Sequence, residues 1–122
     1  MQKVLIAETS EIFRKSLTAA LSPYYEVHTC STGLDAVKRI NQLRPDVLII
    51  DLLLPQINGI SVLHAVSYKP AIILALTTVA TESVLEAATG AHVDSVILKP
   101  CTVRLVMDTL EQLRKKAPAL GK

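Results

Sequence analysis

At 122 residues the chain accommodates one domain with a substantial core and is too short for two. Half of it is hydrophobic, yet its aromatic residues are one Phe and three Tyr, so the core must be built from Leu, Ile, Val and Ala, as suits helices packed on a parallel sheet. The 13 basic and 11 acidic residues leave a net charge of +2, too small and too dispersed to predict direct nucleic-acid contact, and no apolar run approaches the roughly 20 residues that cross a bilayer.

Met1 leads into a strand pattern without a secretory leader, so the expectation is a cytoplasmic protein with no membrane contact. Cys30 and Cys101 have no metal-ligand spacing and read as two reduced, partly buried thiols. His28, His64 and His92 also lack ligand spacing and read as surface or boundary residues.

In chain order, strand and helix signals alternate. Lys3 to Ala7 is a short apolar run ending at Glu8-Thr9-Ser10. A helix follows with Ile12, Leu17, Ala20 and Leu21 at helical spacing, capped by Thr9 or Ser10 and stopped by Pro23. The second strand is Glu26 to Thr29. The second helix, after Ser31-Thr32-Gly33, has Leu34, Val37, Ile40 and Leu43 as its apolar face and breaks at Pro45.

The third strand, Val47 to Ile50, is continuously apolar, as a strand buried on both faces requires, and it terminates at Asp51. Asn58-Gly59 opens a third helix with Ile60, Val62, Leu63 and Val66, closed by Lys69-Pro70. The fourth strand runs from Ala71 to Leu76 and ends at Thr77-Thr78, and the fourth helix from about Thr81 to Ala88, with Gly90 near its end. Ser95 to Leu98 forms the fifth strand and leads to Lys99-Pro100. The last helix, from about Thr102 to Lys116, carries Val103, Val106, Leu110 and Leu113, and Arg114-Lys115-Lys116 reads as its solvated end. The domain is therefore 1–116, and 117–122 reads as a tail or the start of a linker. Five strands alternating with five helices predict an α/β fold, a doubly wound five-stranded parallel sheet with both faces covered.

In such sheets the ligand crevice lies outside the carboxyl ends of the strands. Those ends carry Glu8, Asp51, Thr77 and Lys99, which converge on one rim if the strand order is 2-1-3-4-5. Two carboxylates suit a hard cation, with Mg2+ the natural choice, while a lysine and a hydroxyl suit phosphoryl oxygens. The set fits attack by Asp51 on phosphorus to give an acyl phosphate. Each residue also has a plainer reading. Asp51 suits a turn or helix cap, Glu8 or Thr9 a cap for the first helix, Thr77 a turn, and Lys99 a structural ion pair with Asp51.

These motifs carry a family resemblance. Asp51 with Pro55 and Gly59, Thr77, and Lys99-Pro100 match the acceptor, hydroxyl and lysine motifs of response-regulator receiver domains, and the chain resembles that family to about Lys116. The resemblance implies the flavodoxin-like order 2-1-3-4-5, with a cis bond before Pro100. It implies transfer of a phosphoryl group to Asp51 from the phosphohistidine of a sensor histidine kinase or phosphotransfer protein, with Mg2+-dependent self-phosphorylation and autodephosphorylation. It implies metal ligation by Asp51, by the acid pair at Glu8-Thr9 and by the backbone carbonyl of Leu53. The signal then passes to an output domain or partner protein, or to a homodimer formed on activation.

The chain departs from the family pattern at four places. Thr9 stands where the second acid, the direct metal ligand, is usual, and a neutral hydroxyl removes one negative charge. Val96 replaces the switch aromatic, Cys101 a common Phe, and Thr78 a small residue beside the acceptor. These differences bear on magnesium affinity, acceptor rate and switching, and they leave as the alternative a pseudo-receiver that works by protein contact alone. A flavin-binding protein of the same fold is disfavoured, because Glu8-Thr9-Ser10-Glu11 places acids where a bound phosphate needs donors.

Overall fold

In the computed structural model, which describes residues 1–116, strand and helix alternate from end to end. The elements are β1 (Lys3–Ala7), α1 (Glu11–Leu21), β2 (Glu26–Cys30), α2 (Gly33–Leu43), β3 (Val47–Asp51), α3 (Gly59–Ala65), β4 (Ile72–Thr77), α4 (Glu82–Gly90), β5 (Ser95–Leu98) and α5 (Val103–Lys115). The sheet is parallel throughout, in the order β2-β1-β3-β4-β5. This is the doubly wound, flavodoxin-like arrangement anticipated from the sequence. The tail at 117–122 lies outside the described residues.

The two-residue period of a strand divides the core into two layers. Val4 and Ile6, Val47 and Ile49, and Ile72, Leu74 and Leu76 face α1 and α5, where Leu17, Leu21, Val106 and Leu110 are buried. The alternate residues Leu5 and Ala7, Leu48 and Ile50, and Ile73 and Ala75 face α2 and α3, against Ala36, Ile40 and Val62. β1, β3 and β4 are thus apolar on both faces because both faces are covered.

Every helix starts on a short polar side chain. Ser10, Thr32, Asn58, Thr81 and Thr102 each accept the backbone N–H three residues ahead. Each such cap contributes about 1 kcal/mol.

The structure corrects four readings of the sequence. Ile12 is 80% exposed, because the inward stripe of α1 is Phe13, Leu17 and Leu21. Leu34 is exposed as well, since α2 turns Gly33, Ala36 and Ile40 inward. α3 stops at Ala65, short of Lys69: Val66 is extended, and the Ser67 N–H and hydroxyl both donate to Asn41 Oδ1, at 3.0 and 3.1 Å, which ties the chain to α2. Arg114 is not part of a solvated end. It is half-buried with its guanidinium 5.7 Å from the Tyr25 ring centre, whereas Lys115 and Lys116 are exposed.

Candidate functional site

The strand period also distributes the polar residues at the carboxyl edge. Glu8 follows Val4 and Ile6, Asp51 follows Val47 and Ile49, and Lys99 follows Ile97, so all three continue the rows that face α1 and α5. Thr77 follows Ile73 and Ala75, on the opposite face. Backbone bonds extend the sheet one residue beyond β1 and β5: Glu8 N–H donates to the Cys30 carbonyl at 3.1 Å and Lys99 N–H to the Thr77 carbonyl at 2.7 Å.

Three of the four expected residues meet. The Lys99 ammonium donates to Glu8 Oε1 at 2.7 Å and to Asp51 Oδ2 at 2.9 Å. Glu8 is fully buried and Asp51 is 3% exposed, so one ammonium balances two desolvated carboxylates and the trio carries a formal charge of −1. Burial pulls the Lys99 pKa down, but the hydrogen bonds and charges of Glu8 and Asp51 outweigh it and hold the ammonium above its ordinary range. The remaining carboxylate oxygens are also engaged. Glu8 Oε2 accepts the Ser10 N–H at 2.7 Å and the Thr9 hydroxyl at 3.4 Å, and Asp51 Oδ1 accepts the Leu53 N–H at 2.8 Å. Of the two expected caps for α1, Ser10 is the one that serves, and Glu8 itself is spent on the ion pair and the turn before it.

Thr77 lies apart from this network. Its hydroxyl donates to the Val79 carbonyl at 3.0 Å and accepts the Val79 N–H at 3.1 Å, closing a turn of its own. On that side a groove of about 340 Å³ runs between α3 and α4, lined by Leu52, Asn58, Ile60, Thr77, Ser83 and Val84 among others. The same period-two count that places Glu8 with Asp51 was readable in the apolar runs and separates Thr77 from them.

Close backbone contacts fix the loop after Asp51. Leu52 N–H donates to the Leu76 carbonyl, and Gly59 N–H to the Leu52 carbonyl. A Cβ on Gly59 would lie 2.7 Å from the Asp51 carbonyl oxygen, and one on Gly33 would overlap that of Ile57. Gly33 N–H also donates to the Pro55 carbonyl at 3.0 Å, so the start of α2 is pressed directly on the loop after Asp51. At Gln56 the backbone is left-handed, with φ 73°, and the Ile57 N–H reaches the Pro55 carbonyl at 2.9 Å in a γ-turn. The Lys99-Pro100 peptide is cis.

The departures from the family pattern fall at distinct places. Thr9 and Thr78 are exposed, whereas Val96 is half-buried against the layer that holds α2 and α3. Cys101 is half-buried on the α1–α5 layer. Both cysteines are free, and burial pushes the Cys30 thiol up to about 12, so it stays protonated and inert. Glu8 and Asp51, which meet at Lys99, are the two carboxylates this edge offers a cation, and among the described residues no three His, Cys, Asp or Glu side chains gather into a metal-binding group. That pair fits Mg2+, which takes one or two carboxylates and keeps several waters.

Sequence reasoning missed Arg14. Its Nη1 donates to the carbonyls of Glu8 at 2.7 Å and Thr9 at 3.0 Å. The available signal was an arginine three and seven residues before the buried Leu17 and Leu21 of α1, a helical spacing that sets it beside an inward-facing stripe.

No helix among the described residues is long and apolar enough to cross a membrane. The sequence model of the response regulator receiver domain matches residues 4–111. The DNA-binding response regulator MtrA of Mycobacterium tuberculosis is 32% identical over 103 residues, 81% of this chain and 44% of that protein. The transcriptional regulatory protein BtsR of Salmonella typhi is 26% identical over 95% of this chain and 49% of that protein. The chain thus spans about half the length of the curated relatives it matches.

Among solved structures, the Vibrio cholerae chemotaxis response regulator CheY4 superposes with a TM-score of 0.83 at 28% identity, covering 92% of this chain and 98% of that one. A receiver domain protein from Methanospirillum hungatei shares the fold with a TM-score of 0.85 at 22% identity, covering 99% of this chain and 97% of that one. With its acidic and basic side chains gathered at the carboxyl edge of a β2-β1-β3-β4-β5 sheet, the chain belongs to the response regulator receiver domains of two-component signalling.

Proposed function

We propose that Asp51 is the phosphoacceptor and that the donor is a phosphohistidine on a sensor kinase or phosphotransfer protein. The observation that carries this is the Lys99 ammonium, held 2.9 Å from Asp51 Oδ2 at the carboxyl end of the central strand. A lone pair on that oxygen attacks phosphorus, the P–N bond breaks, and its electron pair returns to the imidazole. Lys99 then neutralises a phosphoryl oxygen as it leaves Asp51. Thr77 turns its hydroxyl from Val79 to a second oxygen, and hydrolysis later restores the carboxylate.

Glu8 and Asp51 are the side chains that would hold Mg2+, and the family resemblance adds the Leu53 carbonyl. The ion would supply positive charge against the transferring group. Thr9 contributes no charge, so Glu8 alone represents the acid pair. The relay runs to an output domain or partner protein.

A pseudo-receiver that signals by contact alone is the second reading. It is favoured by the closed network, in which all four carboxylate oxygens are engaged and the Asp51 side chain is 5% exposed. Intact-mass measurement after incubation with Mg2+ and acetyl phosphate separates the two. The acceptor reading expects one phosphoryl adduct that is absent in Asp51→Asn. An adduct retained in the mutant would remove Asp51 from this role, and no adduct on the parent chain would favour the contact module.

A further inference from the structure

Arg14 stands out among the cations near the site because it makes no ion pair among the described residues. It spends two hydrogen bonds from one nitrogen on the carbonyls of Glu8 and Thr9, the two residues at the acid-pair position. Fixing both carbonyls fixes the planes of the two peptides that join β1 to Ser10. Those planes set the direction of the Ser10 N–H, which reaches back to Glu8 Oε2. The Glu8 carboxylate is therefore held from three sides: by Ser10, by Lys99, and through its own backbone by Arg14. With Thr9 neutral, Glu8 has no second acid to compensate if the turn drifts.

We infer that Arg14 is a positioning residue for magnesium, clamping the β1–α1 turn so that the Glu8 carboxylate faces Asp51 across Lys99. The inference rests on the reading of Glu8 and Asp51 as the metal-holding pair. It is separable from simple electrostatics because the two effects have opposite signs. As a bare charge, Arg14 repels a divalent cation, and removing it should tighten binding. As a clamp, it preorganises a ligand, and removing it should weaken binding.

Calorimetric titration with MgCl2 reads this directly, without reference to phosphorylation. Arg14→Met should raise the magnesium Kd by about tenfold or more, as loss of a ligand's orienting partner typically does. Arg14→Lys should restore much of the affinity, because an ammonium can also donate to two carbonyls. In a Glu8→Gln background, Arg14→Met should change the Kd no further, whereas a general loss of structure would add to it. An unchanged or lowered Kd in Arg14→Met, or full additivity with Glu8→Gln, would overturn the role. Should Arg14→Met not fold, Arg14→Gln is read on the same scale, its shorter side chain being unable to span both carbonyls. A parent chain that takes up no magnesium would overturn the metal reading itself, an outcome distinct from binding that ignores Arg14.

Discussion

The two sides of the carboxyl edge are held together in different ways. On the α1–α5 side, a buried ion-pair network joins β1, β3 and β5, Arg14 pins the first turn, and both helices bury two large side chains each. On the α3–α4 side, the Thr77 hydroxyl bonds only to its own loop, and Thr78, Val79 and Ala80 are exposed. There α4 buries only Ala88, leaving Leu85 41% exposed. Side chains are therefore over-determined on the first side and have room to move on the second. Val96 has neither ring nor hydroxyl to trade between two positions, so the expectation is that any movement comes from the β4–α4 loop and α4.

Hydrogen exchange should show the largest contrast. Amides of α4 should open at free energies several kcal/mol below those of β1 and β3, which should approach the global stability of about 5–15 kcal/mol. A beryllofluoride phosphoryl mimic should change protection from Thr77 to Gly90 and leave the α1–α5 side nearly unchanged. Equal protection on both sides would erase the distinction.

Lys99→Met breaks the rigid side directly, leaving two buried carboxylates without their cation. It should cost about 3–5 kcal/mol in urea unfolding. A cost under about 1 kcal/mol would equate the network with a surface pair. The parent chain offers a pH test of the same bond. Since Lys99 has a raised folded pKa, its contribution is fully present below the ordinary lysine value of 10.5 and is lost as pH climbs through the higher folded value. The urea midpoint of the parent should therefore fall at alkaline pH more steeply than that of Lys99→Met.

Gly33→Ala tests the backing of the loop after Asp51. Its new Cβ overlaps the Ile57 carbonyl oxygen, and the repacking should cost about 1–3 kcal/mol. An alanine tolerated there without loss would mean that α2 does not brace the loop.

The smallest effect concerns the missing acid. Thr9→Asp should tighten magnesium binding about tenfold, or about 1.4 kcal/mol. Much of the added attraction is cancelled by repulsion from Glu8, and Thr9 is exposed to solvent. Without metal the same repulsion should lower the melting temperature, and magnesium should recover it. Equal metal-dependent shifts in parent and mutant would place residue 9 outside the metal's reach.

The fold was legible in the sequence because its signals are redundant. Apolar runs at 4–7, 47–50 and 72–76 end at polar residues, and a Ser, Thr or Asn precedes each helix. Glu8, Asp51 and Lys99 were legible for the same reason, as each follows an apolar run, which for Lys99 is 96–98. The face that Thr77 takes was readable from the same strand period, but its bonding was not, because a hydroxyl that bonds its own loop looks the same in sequence as one that faces a ligand. The end of α3 was missed because its stop is a long-range bond from Ser67 to Asn41 rather than a local breaker. Gln56 gave no sign of its left-handed backbone, since no glycine marks the place.

The Lys99 bridge reaches across 91 residues to Glu8 and 48 to Asp51. During synthesis, β1, β3 and both carboxylates leave the ribosome well before β5 does. Until Lys99 arrives, the nascent sheet edge carries two acids without the ammonium that bridges them. The buried network is thus completed only when β5 joins the sheet, and a chain cut before Lys99 lacks the cation that balances it.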